Sequence, residues 1–152
     1  MRIPFLKQKE IFSETEKNRL VQAIRVAERL TSGEIRLFVE NHCKYVNPLE
    51  RAQEVFNSLD MAKTRLRNGV LVYVAIKDHQ FAILGDQGIH EKVGNDFWEK
   101  EAELLISHFQ RDRIIEGIEA CIAEIGASLR THFPHEAGND ANELPDDIVF
   151  GK

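Results

Sequence analysis

Cysteine is scarce in this sequence. Cys43 and Cys121 stand far apart and outside any Cys-x-x-Cys pattern, which excludes a disulfide framework and a zinc ribbon by spacing. Two free thiols suit a reducing compartment. Long apolar runs are missing too. No stretch approaches the ~20 residues of a membrane span, and charges interrupt Met1-Arg2-Ile3-Pro4-Phe5-Leu6-Lys7 before a signal-peptide core can form. The expected location is therefore the cytoplasm. Positive charge is not in excess: 20 basic side chains face 25 acidic ones, for a net charge of −5. Without a basic stripe, nucleic acid is not an expected partner. No internal repeat or low-complexity run occurs. The six histidines form no His-Glu-x-x-His or similar spacing, and His132 and His135, astride Pro134, suit capping better than chelation.

What is present describes an ordinary globular chain. At 152 residues, 43% hydrophobic and 30% charged, it fits one domain, large enough to bury about 68–70% of its unfolded surface. Ser13 with Glu16 reads as a capping box, followed by Leu20, Val21, Ile24, Ala27 and Leu30 at helical spacing, with Gly33 as the stop. Glu34–Glu40 alternates as a strand with Ile35, Leu37 and Val39 on one face. Asn47-Pro48 opens a second helix carrying Ala52, Val55, Phe56 and Leu59. Asn68-Gly69 precedes the unbroken run Val70–Ile76, the pattern of a strand buried on both faces. Lys77-Asp78-His79 is a tight link into a third strand, Gln80–Gly85, which a connection this short makes antiparallel. A loop over 87–95 leads to a helix capped by Asp96 and Glu99 and bearing Phe97, Leu105, Ile106 and Phe109. A break at Arg111–Asp112 precedes a last helix with Ile114, Ile118, Cys121, Ile122, Ile125 and Leu129.

The expected fold is α/β, a three-layer α/β/α sandwich on a small mixed sheet of three to four strands, in the order α-β-α-β-β-α-α. Residues 12–133 form the domain, 1–11 an N-terminal extension, and 134–152 a polar, acidic tail. The final apolar triplet Ile148-Val149-Phe150 is suited to docking back or adding an edge strand. No long apolar surface stripe is left over, so a monomer is expected.

Strand direction locates the polar residues. A β-α-β unit is parallel and right-handed, so Glu34 and Asn68, both at strand starts, share one sheet end. The third strand runs back and returns Asp86 to that end, with Asp96 following. Asp78, in the hairpin, belongs to the opposite end. Three carboxylates and an amide without an obvious cationic partner would repel, and oxygen donors of this kind suit Ca²⁺ or Mg²⁺. The structural readings compete: Asp96 as a helix cap, Asp86 as a turn residue, Glu34 paired with Arg36 or Arg67. Arg65 and Arg67, just before the second long strand, are weak candidates for anion binding at the same end. His42-Cys43 is not expected to act as a nucleophile–base pair, because adjacent strand residues point to opposite faces. Gly85-Asp86-Gln87-Gly88 lacks the length and the Lys-Ser/Thr of a phosphate loop. Asn139–Glu143 lacks the glycine and twelfth-position Glu of an EF-hand.

Several segments in order resemble the TPM domain family, named for a thylakoid lumen protein, a photosystem II repair protein and a receptor accessory protein. They are Phe12-Ser13-Glu14, Thr31-Ser32-Gly33-Glu34-Ile35, Asn68-Gly69-Val70-Leu71-Val72-Tyr73-Val74, and Gly85-Asp86-Gln87-Gly88-Ile89 with Asp96 after it. The resemblance covers about residues 12–132. It implies an α/β/α sandwich and divalent-cation binding near the strand ends, with Glu34, Asn68, Asp86 and Asp96 as the matching positions. It also implies a weak acid-phosphatase activity, known from the plant member. Two functions follow as expectations: a Ca²⁺- or Mg²⁺-binding module that assists a protein partner, and a metal-dependent phosphatase acting on phosphomonoesters. Most of the family carries a signal peptide and a membrane anchor, which are not expected here.

Overall fold

A capping box starts the first helix. Ser13 Oγ accepts from the Glu16 amide at 3.1 Å, and the Glu16 carboxylate accepts from the Ser13 amide at 2.8 Å, so two otherwise orphaned donors are satisfied reciprocally. A computed structural model describes residues 10–135 and 148–151. Helix α1 (Glu14–Glu28) leads into β1 (Glu34–Glu40), α2 (Pro48–Ser58) and β2 (Gly69–Ala75). Then come β3 (Gln80–Gly85), α3 (Gln87–Val93), α4 (Asn95–Gln110), α5 (Ile114–His132) and β4 (Ile148–Phe150).

The four strands lie in the order β3-β2-β1-β4. β1 runs parallel to both β2 and β4, and β2 pairs antiparallel with β3. Alternation along the two central strands divides the interior. Ile35, Leu37, Val39, Val70, Val72 and Val74 face α1, α4 and α5 with Leu20, Ile24, Leu105, Ile118 and Ile122. Phe38, Leu71, Tyr73 and Ala75 face the other way, onto Ala52, Val55 and Phe56 of α2. The result is the expected α/β/α sandwich, in which, among the described residues, α2 forms one outer layer. Among the described residues, no helix is long and apolar enough to cross a membrane.

Three expectations need correction. The residues before α4 are not all loop: Gln87–Val93 is a helix, α3, so three helices follow β3 rather than two. Asp86 starts it, its Oδ1 accepting from the Gln87 amide at 2.8 Å, and Gly94 at φ +78° joins it to α4. Gly94 rather than Asp96 holds the cap position of α4, without a side-chain cap bond; Asp96 lies in the first turn, where its charge complements the helix dipole. Helix α1 ends at Glu28, well short of Gly33, and Leu30 is 70% exposed instead of joining the core. The cause is tertiary. Ser32 donates to the Phe133 carbonyl at 3.1 Å and His135 to the Leu30 carbonyl at 2.9 Å, so this segment is claimed by the end of α5. The segments 1–9 and 136–147, which include most of the polar tail and Asn139–Glu143, lie outside the described residues.

Candidate functional site at the start of the parallel strands

Backbone hydrogen bonds tie three element starts together. The Glu34 amide donates to the Asn68 carbonyl at 3.4 Å, and the Asp86 amide donates to the Gly69 carbonyl at 2.9 Å. The first residue of β1, the residue before β2 and the residue after β3 therefore share one sheet end. All three side chains are buried: Glu34 is 4% exposed, Asn68 1% and Asp86 5%. Asp96, in the first turn of α4, is exposed.

Asp86 has a cationic partner that local reading did not assign. Arg67 donates from Nε to Oδ2 at 2.6 Å and from Nη2 to Oδ1 at 2.7 Å. This two-pronged geometry is the strong form of an arginine–carboxylate pair. It holds the Arg67 guanidinium more firmly protonated than usual, the Asp86 hydrogen bond being the main cause. Arg67 is thus paired with Asp86 rather than with Glu34. Its backbone, at φ +52°, accepts the Gly88 amide at 2.8 Å. A side chain at Gly88 would collide with that backbone, its Cβ coming within 2.2 Å of the Leu66 carbonyl oxygen.

Asn68 is only partly satisfied. Its Nδ2 donates to Ser32 Oγ at 3.3 Å and its amide to Thr64 Oγ1 at 3.2 Å. Its Oδ1 is buried with no hydrogen-bond partner, an arrangement that costs free energy unless something positive reaches it. Beside Asp86, the Trp98 ring packs where a Cβ on Gly85 would sit, 2.2 Å away. The Trp98 indole donates to His90 Nδ1 at 2.9 Å. Arg65 is exposed on the loop before β2.

The oxygen donors Glu34, Asn68 and Asp86 are hard ligands of the Ca²⁺ and Mg²⁺ type. Yet among the described residues no three or more acidic, histidine or cysteine side chains are arranged to hold a metal ion. Both Asp86 oxygens are engaged by Arg67. Asn68 Oδ1 remains a buried oxygen at this end without a hydrogen-bond partner.

The far end of the sheet holds Asp78, as strand direction requires. Its carboxylate bonds His42 Nδ1 at 2.9 Å and the Cys43 amide at 2.7 Å, and the His42 contact is the first cause holding the Asp78 carboxyl below its ordinary range. His42 and Cys43 lie past the end of β1, not within a strand, and the Cys43 thiol donates to the Tyr45 carbonyl at 3.4 Å. Nearby, the buried Glu40 carboxylate accepts from Arg51 Nε at 2.8 Å and Nη2 at 3.0 Å, and from the Tyr73 hydroxyl. Burial, then the Glu40 bond, pushes the Tyr73 hydroxyl far above its ordinary pKa. Sequence reading missed this network, because Tyr73 sits inside a run that otherwise looks uniformly apolar.

A family model for the TPM domain matches residues 6–128. The BA42 protein from the psychrophilic bacterium Bizionia argentinensis, solved by NMR, is 38% identical, with a TM-score of 0.85 over 95% of this chain and 99% of that one. The N-terminal domain of cg2496 from Corynebacterium glutamicum shares the fold at 12% identity, with a TM-score of 0.62 and 85% of each chain covered. No curated protein matches the chain.

Proposed function

The chain belongs to the TPM domain family, and from that footing we propose that it is a divalent-cation-binding module that assists a protein partner. Asn68 Oδ1 carries the proposal: a buried carbonyl-type oxygen without a donor, at a sheet end that also holds Glu34 and Asp86. A cation would give that oxygen a partner and offset the cost of burying it. Asn68 and Asp86 would hold the ion, with Glu34 contributing negative charge and Asp96 adding it from the solvent side. Bound Ca²⁺ or Mg²⁺ would supply charge neutralisation and would order the three element starts. The chain's own residues keep the site in place: Ser32 and Thr64 orient Asn68, and the Gln87 amide fixes Asp86.

Phosphomonoester hydrolysis is the less supported reading. Arg67, a natural phosphate ligand, is spent on Asp86.

An NMR titration of the folded protein with CaCl₂ and, separately, MgCl₂ tests the cation reading. Saturable shifts should concentrate at Ser32–Glu34, Arg67–Gly69 and Asp86–Gly88, and should weaken about tenfold or more in Asp86→Asn, since losing a charged ligand removes roughly 1.5–3 kcal/mol. The absence of saturable shifts in the millimolar range would end the proposal. An aryl-phosphate assay with and without chelator covers the second reading, and no turnover above buffer is expected.

A further inference from the structure

We propose that proton binding at Glu101 controls the seating of α4: the neutral side chain holds the helix on α5, and the ionised one loosens α4 locally while α5 and the sheet stay folded. Of the 16 residues of α4, only Glu101 and Leu105 are buried, whereas α5 buries eight of its 19. One of the two side chains that seat α4 is therefore a carboxyl, and its Oε1 has no hydrogen-bond partner. A neutral acid bears such a place at modest cost, but an ionised carboxylate is strongly disfavoured there.

The groups around Glu101 do not relieve that cost. Glu124 and Cys121 face it from α5, and Lys100 adjoins it on α4. Burial, and then the Glu124 charge, favours the proton more than Lys100 opposes it. The other elements packed on α4 reach it at different residues: β3 through Phe81 on Phe109, and α3 through His90 on Trp98. The geometry also lets α4 respond by itself. Gly94, at φ +78° with open space where a Cβ would sit, joins it to α3, and Asp112, at φ +57°, turns the chain into α5. A cavity of about 390 Å³ lies at its C-terminal end, between Ile106, Phe109 and Asp112 and the facing His79 and Phe81. Dispersion contacts that would hold that end are missing, and a segment with few buried apolar contacts opens most readily. Seated α4 holds the Glu101 proton more tightly than opened α4 does. Seating is therefore firmest below about 4.5, weakens as pH rises towards 7, and is weakest above that.

Amide hydrogen exchange of the full chain at pH 6 and pH 8, corrected for the intrinsic pH dependence of exchange, tests this in wild type and in Glu101→Gln. From pH 6 to pH 8, protection at Glu101–His108 should fall about tenfold in wild type, while Ile118–Ile125 keeps its protection. Glu101→Gln, which cannot ionise, should hold its α4 protection at both pH values. Equal α4 protection at the two pH values in wild type would overturn the proposal. So would a loss shared equally by α4 and α5, because the opening would then be global. A folded Glu101→Gln that loses α4 protection as wild type does would overturn it too, by assigning the effect to another group. The wild-type measurement stands by itself if the glutamine variant fails to fold.

Discussion

Glu101 is 2% exposed on α4, with its Oε1 buried and lacking a hydrogen-bond partner. Burial, and then the charge of Glu124 on α5, raises its pKa to about 7. The thiol of Cys121 beside it is pushed up by the same burial. The folded state holds the Glu101 proton more tightly than the unfolded chain does, so stability falls as pH rises from about 4.5 towards 7 and the penalty is complete above that. Glu101→Gln mimics the protonated form. It should stabilise the protein at pH 8 by about 1–3 kcal/mol and change little at pH 4.5. Urea denaturation at the two pH values measures this; an equal effect at both would show that packing, not protonation, governs the position. Nothing in the sequence marks Glu101 out. It falls among Glu99, Lys100 and Glu103 in a charged stretch, and only the seating of α4 against α5 makes it different. Arg67 is a similar case. It lies 19 residues from Asp86, too far for local pattern to pair them.

At the scale of elements, what was legible follows the strength of local signals. The capping box of α1, Asn47-Pro48 before α2 and the apolar run of β2 are each carried by consecutive residues, and each appears where expected. Helix α3 was not legible. Its seven residues complete about two turns, too few for a stripe, and Gly85-Asp86-Gln87-Gly88 contains the residue types that usually mean a turn. The glycine is required for another reason: Gly88 lets α3 press against the carbonyls of Leu66 and Arg67. Gly88→Ala would force that backbone apart and break the Gly88–Arg67 bond, at a cost of about 1–3 kcal/mol. The damage should be local. Amide hydrogen exchange is expected to quicken at Gly88–His90, whereas Ile118–Ile125 in α5 should keep its protection. Uniform loss of protection would show that α3 is part of the global folding unit instead.

The whole molecule depends on a pairing that joins the ends of the chain. β4 lies beside β1 in parallel, with Leu37 opposite Ile148 and Val39 opposite Phe150. The Gly151 amide donates to the Val39 carbonyl at 2.8 Å. The Phe150 ring meets Phe12 edge-on, with centroids 6.1 Å apart, so both ends of the domain close over the same edge. Sequence alone marked this triplet as apolar and able to dock, but its register depends on where β1 presents an open edge. Without β4, β1 becomes that edge, and an unpaired strand rich in apolar residues is a template for another chain. Val149→Pro tests this, since proline removes a backbone donor from a strand only three residues long. The variant should melt at lower temperature, and its mass by light scattering should rise with concentration while wild type stays constant. The candidate site at the start of β1 lies outside the β4-paired stretch, so its backbone amides should keep their chemical shifts. Reduced stability with an unchanged mass would mean that the exposed edge of β1 is guarded by its own residues. Arg36 and Glu40, charged and buried on either side of Phe38, are the side chains placed to do that, because a buried charge pointing inward disfavours a second copy of the strand.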